Sequence, residues 1–90
     1  MSENKTIQEL PDWFEGKEYT EGDKVKNPFS GEEYELNKIE LSMYDFIIGS
    51  QIVFEKYPNK VNDQDIKNFQ NGLDWFKEIN AEAYSVLLED

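Results

Sequence analysis

The chain contains neither cysteine nor histidine. Without cysteine it can form no disulfide, no thiolate metal site and no cysteine nucleophile. Without histidine it lacks the commonest metal ligand and the commonest general acid–base group at neutral pH. Basic residues are scarce as well, nine against twenty acidic ones, for a formal net charge of −11. That balance disfavours nucleic-acid phosphates, which require clustered Lys and Arg, and anionic membrane surfaces. It suits solubility or a basic protein partner. Long hydrophobic runs are missing too. Phe46-Ile47-Ile48 is flanked by Asp45, Gln51 and Glu55, whereas a membrane span takes about 20 mostly apolar residues. Met1 to Leu10 is polar and holds no signal-peptide core, so a cytoplasmic location is expected.

What is present is aromatic. Two Trp, five Tyr and six Phe in 90 residues exceed what a disordered acidic chain carries. Each such ring can bury roughly 150–250 Å², enough to give one small domain a core. The expected organisation is a flexible stretch at 1–9 and a single domain over 10–90, with no linker, repeat or low-complexity segment.

The chain is organised around Asn37 to Tyr57. Asn37 is a good N-cap, and Glu40 three residues on completes a capping box. Ile39, Met43, Phe46, Ile47, Phe54 and Tyr57 recur at helical spacing, and Tyr44, Ile48 and Ile52 widen the stripe beyond half the circumference. This pattern predicts a helix over 38–57 packed on two sides, ended by Pro58-Asn59. Gly49 inside it is expected to admit the close approach of another backbone.

Residues 19–36 read as a β-hairpin. Lys24-Val25-Lys26 and Glu33-Tyr34-Glu35-Leu36 alternate with period two. Asn27-Pro28-Phe29-Ser30-Gly31 between them is a strong turn signal. Val25, Tyr34 and Leu36 are expected to face the helix. Asn62 or Asp63 caps a second helix over 63–79, with Ile66, Phe69, Leu73, Phe76 and Ile79 as its core face. Asn80 ends that helix and caps a third over 81–88, whose Ala83, Tyr84, Val86, Leu87 and Leu88 close the core. The fold class is therefore α+β, mainly helical: a hairpin packed on a long central helix plus two shorter C-terminal helices.

Motifs for chemistry are absent. Gly22 and Gly31 lie in an acidic loop that leads into a strand, which does not make a phosphate cradle. Asp63-x-Asp65 fails as a calcium loop, since Lys67 stands at a ligand position and Asn68 replaces the required glycine. Ser30, Ser42, Ser50 and Ser85 have no histidine to activate them. Carboxylate pairs are unavoidable among twenty acidic residues and carry no weight. No enzyme activity, cofactor or metal is expected.

Tyr19-x-x-Gly22-Asp23-x-Val25-x-Asn27-Pro28-x-Ser30-Gly31-Glu32, Leu36, Tyr44-Asp45-Phe46-Ile47-x-Gly49, Gly72-Leu73-x-Trp75-Phe76 and Ala83-Tyr84-x-Val86-Leu87-Leu88 together form a pattern running from about Trp13 to the end. It resembles a group of short proteins from tailed bacteriophages, with marine cyanophages as the implied source. The resemblance implies a phage-encoded protein acting in the host cytoplasm or virion. It transfers no active-site residues, because its motifs are packing and turn residues.

The functional expectation is a non-enzymatic protein-interaction module. Trp13, Phe14, Tyr19 and Phe29 are the contact candidates, being aromatic and on the least regular segments. Trp13 and Phe14 have a competing role as a plug at one end of the core. Two other functions fit the composition. An acidic mimic of DNA would block a nucleic-acid-binding protein, if the carboxylates form a stripe with phosphate-like spacing. A structural or self-assembling virion component would use the apolar face of the central helix as a homo-oligomer interface.

Overall fold

A computed structural model describes residues 9–89. The flexible stretch expected at 1–9 lies, Glu9 apart, outside them. The described chain runs β1 (Asp23–Lys26), β2 (Glu33–Leu36), α1 (Lys38–Lys56), a single 3₁₀ turn (Pro58–Lys60), α2 (Asp63–Ile79) and α3 (Ala81–Leu87). The class is the expected one, α+β and mainly helical, with the hairpin packed on helices.

Each helix starts where a side chain can satisfy its first N–H groups. Asn37 Oδ1 accepts from Glu40 N at 2.8 Å, and Glu40 Oε1 accepts from Asn37 N at 3.0 Å, closing the expected capping box. Asn62, not Asp63, caps α2, and it forms a second capping box with Asp65. Asn80 donates its N–H to Phe76 O at the end of α2 and accepts from Ala83 N at the start of α3. One residue thus fixes the corner between the two helices.

The strands pair antiparallel, with Val25 opposite Tyr34 and Asp23 opposite Leu36. Val25, Tyr34 and Leu36 share the inward face and pack against the core, as expected. The outward face sets Lys24 opposite Glu35 and Lys26 opposite Glu33. A two-stranded ribbon is marginal alone; this one leans on α1 and α3.

The core gathers Leu36, Leu41, Met43, Ile47, Phe76, Ala83 and Leu87. Met43, Ile47, Phe76 and Ala83 have no exposed surface. Tyr44 meets Phe76, and Phe54 meets Phe69 edge-on at 5.2 Å, so aromatic pairs run along the α1–α2 seam. Two of the three buried polar residues, Glu40 and Ser42, tie α1 to other elements. Glu40 Oε2 accepts from Asn80 Nδ2 at 3.0 Å, tying the start of α1 to the α2–α3 corner. Ser42 Oγ donates to Lys38 O and accepts from Tyr19 N at 2.9 Å, tying α1 to the segment before the hairpin.

Three expectations fail. Gly49 admits no neighbour: a Cβ built there meets nothing within 4 Å. The glycine on which another backbone closes is Gly22, whose Cβ would clash with Leu36 O and Asn37 Cα; within the helices it is Gly72 that is crowded, by side chains, its Cβ 3.2 Å from Met43 Sδ and 3.5 Å from Ile47 and Phe46. Second, α1 is not enclosed on two sides along its length. It is buried from Glu40 to Met43 and at Ile47, while Ile52, Val53 and Tyr57 are 48%, 44% and 54% exposed. Tyr57 caps the helix instead of extending its core face. Third, Ile66 at the start of α2 is also exposed. The common reason is geometric. β2 and the α2–α3 corner meet α1 near its start, and the second half meets α2 along one side, where Phe54 packs on Phe69.

Candidate partner-binding groove

The turn between the strands is built by Asn27. Its side chain is nearly buried, and Oδ1 accepts from Phe29 N at 2.8 Å and Ser30 N at 3.2 Å. The backbone closes the same turn: Gly31 N donates to Asn27 O, and Asn27 N donates to Glu32 O. Gly31 supplies the left-handed geometry at φ 81°. Asn27 Nδ2 then donates to Val86 O at 2.9 Å, across 59 positions of sequence. The turn is therefore locked internally and bolted to α3.

That arrangement throws Phe29 outward. Its side chain is 95% exposed at the apex of a turn with little freedom. Beneath it runs a groove of about 670 Å³. One wall is a single helical face of α1: Ile48, Gln51, Ile52 and Glu55 at i, i+3, i+4 and i+7. The other wall is the end of α3, with Val86 and Leu88. Glu32, Glu55 and Glu89 supply its charges, and no lysine lines it.

The remaining contact candidates gather on a different face of α1, around Phe46. Trp13 and Phe14 both pack on Phe46, with ring centroids 5.7 and 5.6 Å away. The Lys17 ammonium lies over the Tyr19 ring at 4.9 Å. Partial desolvation raises the Tyr19 phenol above its ordinary pKa, and the charge and hydrogen bond of Asp45 push it the same way. Trp13, Phe14 and Tyr19 are thus partly covered, and only Phe29 stands free of the core. A second hollow of about 390 Å³ beside Phe46 is bordered by Glu15, Asp45 and Asp65. Among the described residues no group of three acidic side chains is placed to hold a metal ion.

On the far side of the hairpin, Tyr34 Oη donates to Glu82 at 2.9 Å. That bond holds the Tyr34 phenol above its ordinary pKa, with desolvation adding to the rise. Burial alone raises Tyr44. These tyrosines are structural ties between elements.

Sequence periodicity assigned Ile48, Ile52, Val86 and Leu88 to the core, which hid their role as groove walls. The available signal was excess: α1 carries a stripe wider than a chain of this length can cover. No helix among the described residues is long and apolar enough to cross a membrane. No protein-family model matches the chain, and neither a curated protein nor a solved structure does.

Proposed function

We propose that the chain is a small acidic protein-interaction module without catalytic chemistry, and that the groove beneath Phe29 is its contact surface. The observation that carries this reading is Phe29 itself. A large ring at 95% exposure is held out by four hydrogen bonds of a preorganised turn, beside a second exposed apolar residue, Ile52. Aromatic side chains presented rigidly lose little entropy on binding and dominate interface energetics. The lack of cysteine and histidine supports the non-enzymatic half of the reading. The motif resemblance supports a phage-encoded protein at work in the host cytoplasm or virion.

A photo-crosslinking residue at position 29 or 52, compared with one at exposed Gln70 on α2, tests this in a cell lysate. Discrete adducts from 29 and 52 that are missing from 70 are expected. The same adduct pattern from all three positions would refute the groove as the contact surface.

A second reading, self-association, draws on the exposed apolar residues Ile52, Val53 and Tyr57 of α1. Sedimentation over a wide concentration range separates it from the first.

A further inference from the structure

Resting on the groove as the contact surface, we infer that its occupant is an amphipathic helix of a partner protein whose apolar ridge is flanked by Lys or Arg. Three observations lead there. The first is charge. The charged liners of the groove are Glu32, Glu55 and Glu89, without a compensating lysine, on a chain of net charge −11. A second copy of this chain would bring three more glutamates to the same contact, which repulsion disfavours.

The second is backbone saturation. An extended segment binds by adding to a ladder of free N–H and C=O groups. The groove offers none of the required donors. Pro28 has no N–H, Phe29 and Ser30 donate to Asn27 Oδ1, Gly31 donates to Asn27 O, and Glu32 donates to Ser30 Oγ. The α1 wall is interior helix whose backbone is spent, and at the end of α3 the Leu88 and Glu89 N–H groups both donate to Tyr84 O. A segment entering here must satisfy its own backbone, and a helix does so.

The third is spacing. Ile48, Gln51, Ile52 and Glu55 form an i, i+3, i+4, i+7 face, the register that receives the ridge of another helix. Phe29 overhangs that face and can close on the ridge from above.

A display library of randomised peptides about 18 residues long, selected on the intact chain and counter-selected on the Phe29→Ser/Ile52→Ser double variant, tests the assignment. Both substituted side chains are exposed, so the variant keeps its fold, and the far-ultraviolet circular dichroism spectrum checks that. The expected winners place apolar residues at i, i+3 or i+4 and i+7, with Lys and Arg beside them, and become helical on binding. Each single substitution is expected to weaken them about tenfold. The Glu32→Gln/Glu55→Gln/Glu89→Gln triple variant should weaken them and flatten their salt dependence. Enrichment of extended, Pro-rich or acidic sequences would overturn the assignment. Basic winners that bind the double variant equally well would also overturn it, reducing the attraction to undirected surface charge. Concentration-dependent dimerisation abolished by Phe29→Ser would give the groove to a second copy instead. Failure of the library alongside specific crosslinks from positions 29 and 52 sinks the helix and leaves the interaction surface standing. Failure of both sinks the two together.

Discussion

The two halves of α1 make opposite use of similar residues. From Lys38 to Ile47 the helix meets β2, α2, the α2–α3 corner and the segment before the hairpin, and its buried polar groups are all bonded: Glu40 to Asn37 and Asn80, Ser42 to Lys38 and Tyr19. From Ile48 to Lys56 it carries just as apolar a sequence but meets mainly α2, leaving Ile52 and Val53 nearly half exposed. Stability in this molecule is thus concentrated at one end, where four elements converge. The other end keeps apolar surface open at low structural cost. A small chain cannot cover a nineteen-residue helix on all sides, and the uncovered part is where binding can be added without endangering the fold.

Substitutions sharpen this contrast. The largest loss is expected for Phe76→Ala at the gripped end. Phe76 is fully buried between Tyr44 and Trp75, and removing such a ring costs about 3–5 kcal/mol. Urea denaturation should show it as a much lower midpoint with an unchanged slope. Next comes Glu40→Ala, which leaves Asn37 N and Asn80 Nδ2 without their carboxylate acceptor, at a cost of about 1–3 kcal/mol. Glu40→Gln, keeping one acceptor oxygen, should lose less in the same measurement. If the two variants unfold alike, the carboxylate is not the tie between α1 and the α2–α3 corner.

Smaller still is the difference between two glycines. Gly49→Ala adds a methyl in open space and should stabilise the helix by about 0.5–1 kcal/mol. Gly72→Ala pushes its methyl against Met43 Sδ at 3.2 Å, so it should gain less or lose. Equal thermal midpoints for the pair would contradict the packing of α2 on α1. The smallest stability change belongs to the open end. Phe29→Ser and Ile52→Ser should stay within about 0.5 kcal/mol of the parent chain while removing the crosslinks described above. A large drop in stability for either would make these residues part of the core.

Local chemistry was readable and coverage was not. Asn37 with Glu40, Asn80 between two helices and Asn27 to Gly31 as a turn all follow from which side chains can reach which backbone groups within four positions. The fold class followed from those stops and starts. Apolar spacing also marked the right face of α1, but it cannot say whether another element lies over that face. Spacing therefore places Ile52, Tyr57 and Ile66 in the core, and it cannot tell that Gly49 faces open space while a backbone closes on Gly22 and side chains on Gly72. The bond from Asn27 Nδ2 to Val86 O spans 59 positions and leaves no trace in either segment. Of the four aromatic candidates, Phe29 was identifiable as a turn residue, while its companions in the groove were hidden among the core residues.

The bolt between Asn27 and Val86 also sets an order of events during synthesis. A ribosome delivers the hairpin and all of α1 well before residue 86. Until then the nascent chain carries one wall of the groove and the Phe29 knob, with nothing opposite. The groove is consequently among the last features of the molecule to be assembled, and a ribosome-bound chain halted before α3 has only one of its walls.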